Sequence, residues 1–318
     1  MSKNQTNVTT SSCLVNPFCD PILGLLGAVA AFGAVLNILL IIIFILDKRL
    51  QRPIYIGIPL LALPDMLFLL AKLSTIAFSD FFRQKETSSQ DFVLIQTVNC
   101  IMVSSYFSSA SHVVLLSVQQ YIYIAYPLKS GVWFKNTKVI VTSAITWSVC
   151  VVFGITYVYI VVINKVNNRM LASKFNIVLT FIITILPVLI LVVLHFLKKR
   201  VLMSSMVTRP QRSVRKMARV VSFVIAGYLI TTTPVNIKDI IEVTFGYLKE
   251  TWFVIFYEVS TILLYLNYSV NPFIYFFSTP QFRRALCCWR NKRSLYGSNN
   301  TSMATSQTSQ ISSFQERL

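Results

Sequence analysis

The sequence predicts an all-α integral membrane protein, a bundle of seven transmembrane helices followed by a short amphipathic eighth helix. Three observations carry this prediction. Hydrophobic residues make up 55% of the chain and charged residues only 13%, about half the charged share of an ordinary soluble domain. The apolar residues gather into seven stretches, each long enough to cross ~30 Å of hydrocarbon at ~1.5 Å per residue. The basic residues, finally, segregate to alternate connections between those stretches.

In chain order the predicted spans lie near residues 22–46, 54–78, 92–126, 139–163, 175–197, 214–243 and 252–277. The first is too long and too central for a cleaved signal peptide, and no basic region precedes it. The chain divides into an extracellular N-terminus (1–21), a seven-transmembrane domain (22–277), an amphipathic helix (278–290) and a disordered cytoplasmic tail (291–318), with no soluble domain. The sizeable cytoplasmic connection, 198–216, is basic and extends the fifth and sixth helices beyond the membrane. No inverted repeat of the kind found in transporters is visible.

A net charge of +18 would ordinarily suggest nucleic-acid binding. Here the excess sorts by loop: Lys48, Arg49, Lys135, Lys199, Arg215 and Arg283 fall on one side, whereas Arg83, Lys165 and Lys249 on the other are mixed with acids. The positive-inside rule places the N-terminus outside and the C-terminus in the cytoplasm. The sequons at Asn4 and Asn7 then lie outside, as glycosylation requires; those at Asn299 and Asn300 do not.

The last span ends in Asn271-Pro272-Phe273-Ile274-Tyr275. A proline inside a helix removes one backbone hydrogen bond and kinks the chain. A preceding Asn can bond across to neighbouring helices, and a Tyr one turn on can change partners; a plain kink with two incidental polar neighbours is the other reading. Polar groups are costly in a bilayer and usually face a bundle interior. Asn37 in the first span, Asp65 in the second and Trp147 in the fourth are such residues, with Pro187 and Pro234 in the fifth and sixth. Taken in order, these positions resemble rhodopsin-like (class A) G-protein-coupled receptors over all seven helices. The resemblance implies a receptor without catalytic function that passes ligand binding to heterotrimeric G proteins.

It also implies a sodium–water pocket at Asp65, Ser109, Asn267 and Asn271. One carboxylate with several neutral oxygens suits a small hard cation; the same cluster also suits a hydrated hydrogen-bond network with Asp65 protonated. Tyr268 replaces the usual small residue and is able to crowd the site. No other cofactor or metal is expected.

The chain departs from the family pattern in several places. Pro127-Leu128 fixes the register of the third helix, so Gln119-Gln120-Tyr121 replaces Asp/Glu-Arg-Tyr and Gln120 stands in the arginine position. A neutral amide lacks that residue's charge and planar fork of donors. Val214 replaces the acid often paired with it, so both halves of an ionic lock are missing; raised basal activity and weakened coupling both remain open. The loop-anchoring cysteine of the third helix is Ile95, and the second outer loop has no cysteine. Cys13 and Cys19 lie in an oxidising compartment and are able to pair, while Cys100 and Cys150 read as buried thiols. In the sixth helix Thr232 replaces the bulky tryptophan before Pro234. His195 replaces a tyrosine in the fifth, either as a satisfied interior histidine or as a group titrating near neutrality. The activation switch is thus expected at Gln120, Tyr121, His195, Thr232, Pro234, Pro272 and Tyr275.

Met102 occupies the place of the acid that anchors monoamines, and Tyr265 that of the retinal-binding lysine. A monoamine ligand and an opsin are therefore both disfavoured. Lys72 lies two turns outward of Asp65 on the same face and needs a partner at that depth. Either it pairs with Glu258 or Asp239 as an internal tie, or it receives an anionic group of a ligand. Tyr106, one turn inward of Met102, lines the floor or belongs to the core.

Beyond the last span, residues 278–286 read as the start of the eighth helix, with Pro280 in its first turn and Phe282 and Leu286 dipping into the lipid interface. Cys287 and Cys288 resemble a palmitoylation site or are free thiols. The Ser/Thr-rich tail is suited to receptor kinases and then arrestin, or is simply solvated.

The expected protein is a multi-pass plasma-membrane receptor for a small molecule, lipid, odorant or short peptide, with a chemosensory role among those that fit. Its expected partners are that ligand, a heterotrimeric G protein, receptor kinases, arrestin and membrane lipid, with no nucleic acid. A ligand-binding decoy or arrestin-biased form is the alternative, motivated by Gln120. A transporter is less favoured, and a zinc hydrolase is opposed by having only His112 and His195.

Overall fold

In the computed structural model, the described residues are 19–82, 89–126, 129–130, 135–163, 174–175, 178, 181–203, 212–245, 248, 250–278 and 282–284. They contain helices and no strand. The main helices are α1 (Cys19–Leu46), α2 (Pro53–Phe82), α3 (Ser89–Ala125), α4 (Asn136–Tyr157), α5 (Leu186–Met203), α6 (Arg212–Phe245) and α7 (Thr251–Ser278). Within the described residues, six helices are long and apolar enough to cross a membrane. The fifth predicted span differs from expectation: a π-helical turn, Phe181–Ile185, precedes an 18-residue α5. Pro187 stands one residue into α5, directly after the π-helical turn, so the missing N–H falls where the regular α-helical bonding pattern has already given way to the wider turn. The fourth span likewise finishes as a π-helix, Val158–Ile163.

The helices close into a ring around α3. That helix packs against α2, α4, α5 and α6, while α7 packs against α6, α1 and α2. Apolar side chains point outward as well as inward: Val35, Ile45, Ile145, Val152, Phe196 and Ile230 are all exposed, the reverse of a soluble protein and what a lipid-facing surface requires. Lipid tails are as apolar as Leu, so close backbone approach at small residues matters more than apolar burial. A methyl group on Gly33 would run into Ser269 and come within 2.9 Å of Leu69; one on Gly57 would lie 2.8 Å from both Gln119 and Leu116; one on Gly154 would meet Ser104. These glycines set the α1–α7, α2–α3 and α4–α3 contacts.

The glycosylation sequons at Asn4 and Asn7, Cys13, the cysteines Cys287 and Cys288, Leu286, Val214's side chain and the tail lie outside the described residues. Cys100 and Cys150 are free thiols, half-buried and buried respectively. Of the eighth helix, residues 282–284 are described and helical. Phe282 was expected to enter the lipid interface. It is instead fully buried, its ring 6.4 Å from Tyr275 and 6.2 Å from Phe276. Phe282 thus packs under the inner end of α7, while Arg283 and Arg284 are exposed.

Candidate functional site

Polar side chains line the bundle in three tiers. The middle tier centres on Asp65, which is fully buried. Ser109 Oγ donates to its Oδ1 at 2.5 Å and Asn271 Nδ2 to its Oδ2 at 2.7 Å, joining α2 to α3 and α7. Asn267, expected in the same cluster, turns elsewhere: its amide is 2.9 Å from Thr231 Oγ on α6. Thr231 Oγ also lies 2.7 Å from the Gly227 carbonyl. A hydroxyl has one proton, so both bonds are made when the Asn267 amide nitrogen faces Thr231. Tyr268 is buried and stacked on Phe68, with ring centroids 4.0 Å apart.

Each carboxylate oxygen of Asp65 accepts one hydrogen bond, and the Asn267 amide is engaged on another helix.

Prolines explain two further ties in this tier. Pro272 has no N–H to give the Tyr268 carbonyl four residues back. Asn37 Nδ2 donates to that carbonyl at 2.9 Å and to Gly33's at 2.9 Å, so α1 satisfies what α7 leaves open. Before Pro234, Thr231, Thr232 and Thr233 each return their hydroxyls to carbonyls of their own helix, at Gly227, Tyr228 and Leu229, the back-bonding that often bends helices. Thr232, the expected switch position, is buried and bonds only its own helix; Thr231 makes the link to α7. A fourth tie was not anticipated. His112 is buried, with Nδ1 2.7 Å from the Ser108 carbonyl and Nε2 2.7 Å from Ser143 Oγ, so it bridges α3 and α4. Its spacing from Ser108, one helical turn, was the available signal.

The inner tier holds the departures from the family pattern. Gln119 Nε2 donates to the Pro53 carbonyl at 2.6 Å, pinning α3 to the start of α2. Gln120 is fully buried, and neither atom of its amide has a hydrogen-bond partner among the described residues. The same holds for the buried Tyr275 hydroxyl. Tyr121 is half-buried. Lys198 is buried with Nζ 3.4 Å from Ser117 Oγ. His195 is exposed, with its ring beside that of its neighbour Phe196, which corrects the expectation of an interior histidine. The inward register of α5 runs through Leu191, Leu194 and Lys198, leaving His195 just outside it.

The outer tier contains Lys72, Met102, Tyr106, Asp239 and Glu258. Met102 and Tyr106 pack beside Phe68, Tyr265 and Tyr268. Lys72 Nζ lies 5.7 Å from the Phe68 ring and 5.9 Å from that of Tyr265. The expected tie between Lys72 and Glu258 or Asp239 is not formed. Asp239 pairs with its neighbour Lys238 at 3.0 Å, Lys238 also lies 4.6 Å from the Tyr257 ring, and Glu258 makes no ion pair among the described residues.

The described residues form a helical membrane bundle with polar ties in its core. The comparison with known proteins agrees. The profile of the family described as 7 transmembrane receptor (rhodopsin family) matches residues 36–275. Trace amine-associated receptor 8c of Rattus norvegicus is 24% identical, over 93% of this chain and 95% of its own length. Trace amine-associated receptor 8b of Rattus norvegicus is 23% identical over the same shares. Trace amine-associated receptor 6 of Rattus norvegicus is 24% identical over 86% of this chain and 88% of its own length. The chain belongs to the rhodopsin family of seven-transmembrane receptors. It is a multi-pass membrane protein and a G-protein-coupled receptor, not an enzyme.

Proposed function

We propose that this receptor responds to a small extracellular ligand held in its outer tier, and that its cytoplasmic switch is biased toward opening. The carrying observation is Gln120, fully buried with both polar atoms of its amide unpartnered among the described residues. A buried amide without partners costs about 1–3 kcal/mol. That cost falls on the closed packing and is relieved when the inner ends of the helices part and water or a G protein reaches Gln120. Ligand contact shifts the same equilibrium through the Thr231–Asn267 link.

In this reading the N-terminus is extracellular and the C-terminus cytoplasmic at the plasma membrane. Asn4 and Asn7 carry glycans, Cys287 and Cys288 carry palmitate at the lipid surface, and the Ser/Thr-rich tail serves receptor kinases and arrestin. The polar core at Asp65 works as a hydrogen-bond network. The names of the relatives associate them with trace amines. Met102 offers no carboxylate for an amine, and Asp239 is already paired, so recognition here runs through other groups. A chemosensory role is part of the proposal, supported by the altered switch residues.

The test is basal G-protein recruitment in cells at equal surface expression, comparing the native chain, mock-transfected cells and Gln120→Arg. Native signalling above mock supports a released switch. A silent native chain whose arginine variant signals sinks it, and moves the decoy or arrestin-biased reading ahead.

A further inference from the structure

We infer that the outer tier binds a small monocarboxylate with an aromatic or apolar body, its carboxylate on Lys72. This rests on the receptor reading above and specifies the chemistry of the ligand. Lys72 lies about two helical turns before Ser79-Asp80, where the apolar run of α2 gives way to polar residues. Helical side chains lean toward the N-terminus of their own helix, and for α2 that end is cytoplasmic. The ammonium therefore points down into the bundle, toward the ring of Phe68 one turn back, and does not reach the outer surface by snorkelling.

At that depth a cation is retained when it is paired or functional. Among the described residues, Lys238 and Asp239 of α6 are the charged groups that act on Lys72 electrostatically. Asp239 is held by Lys238 at 3.0 Å, and no ion pair to Lys72 forms among the described residues. Beside two ring contacts near the ~6 Å limit for cation–π attraction, the ammonium has no hydrogen-bond acceptor among the described residues. Lys72 as a residue is half-buried. The surroundings are apolar and aromatic: Phe68, Met102, Tyr106 and Tyr265. An anionic head with an apolar body complements this set, whereas an amine would meet an unpaired like charge and a methionine.

The experiment uses the purified full-length receptor in nanodiscs, with thermal unfolding read against phenylacetate, 3-phenylpropionate and hexanoate. Phenethylamine and 3-phenylpropionamide are the matched controls. The native chain is expected to be stabilised by at least one acid and by neither control. Lys72→Arg keeps that response, and Lys72→Met and Lys72→Gln weaken the acid at least tenfold. Without ligand, Lys72→Met should unfold at a higher temperature than the native chain, because an unpaired charge is removed; a structural ion pair would give the opposite shift. The inference is overturned if no acid stabilises the native chain, if only the amine does, or if Lys72→Met responds to acids as well as native. G-protein recruitment measured in parallel separates the two readings: acid binding without recruitment leaves the ligand assignment standing and the signalling reading failed, and ligand-independent recruitment without acid binding does the reverse.

Discussion

Asn37 donates to the Tyr268 carbonyl at 2.9 Å, the acceptor that Pro272 leaves free because it has no N–H for the residue four positions back. A proline in α7 is thus matched by an amide on α1, and the ring of helices is closed by a defect in one member. Asn37→Leu should destabilise the receptor by about 1–3 kcal/mol, the cost of an unsatisfied buried carbonyl. Pro272→Ala restores an N–H that can reach Tyr268. In the double variant Asn37→Leu/Pro272→Ala the loss should therefore be smaller than the sum of the single losses by about 1 kcal/mol. Thermal unfolding of the four proteins measures this, and strict additivity would refute the pairing.

The link between α6 and α7 through Thr231 and Asn267 gives a second cycle. Thr231→Val keeps the shape of the side chain and removes the hydroxyl. The Thr231→Val and Asn267→Ala variants should show a coupling of about 0.5–1.5 kcal/mol in stability. Thr232→Val, one residue along, should show no coupling to Asn267, because Thr232 bonds the Tyr228 carbonyl of its own helix.

Gln120→Leu fills a similar volume without polar atoms. Since the native amide is buried without partners among the described residues, the variant should be more stable by about 1–3 kcal/mol and signal less without ligand. A melting temperature below native, or basal G-protein recruitment above it, would contradict the account of the switch.

Much of this organisation was legible in the sequence because it depends on spacing along one helix. Span positions follow from apolar length, and the grouping of Asp65, Ser109 and Asn271 follows from the resemblance to the receptor family. What the sequence missed depends on rotation about a helix axis or on contacts between distant segments. His195 lies a fraction of a turn outside the inward face of α5. Asn267 had two helices within reach and faces Thr231 rather than Asp65. Asp239 had a lysine beside it in sequence, and the local pair won over the distant one to Lys72. Phe282 reads as lipid-facing because its segment is amphipathic, yet its ring packs against Tyr275.

Replacing sodium by choline should leave the unfolding temperature of the purified receptor unchanged. This follows from reading the cluster as a hydrogen-bond network, in which Ser109 and Asn271 hold the two oxygens of Asp65 and sodium adds no tie. Asp65→Asn should lower stability by about 1–3 kcal/mol, since an amide presents one acceptor where two donors converge and must bring its own N–H against the other. Stabilisation by sodium that Asp65→Asn abolishes would show instead that the cluster is an ion site.

Gln119 replaces the acid of the family pattern and bonds the Pro53 carbonyl at 2.6 Å. This ties α3 to the first residue of α2 without a charge, and the closeness of the two helices depends on Gly57, where a methyl group would lie 2.8 Å from Gln119 and Leu116. Gln119→Ala should cost about 1 kcal/mol, the net worth of one such bond, and should raise basal G-protein recruitment by loosening the inner end of α3. Gly57→Ala should displace the same side chain by a different route, through overpacking worth about 1–3 kcal/mol. If the latch restrains the switch, both variants raise basal recruitment, and Gln119→Glu, which repels its proton-accepting partner carbonyl, raises it further. If Gln119→Ala destabilises without changing recruitment, the bond holds the fold and takes no part in the switch.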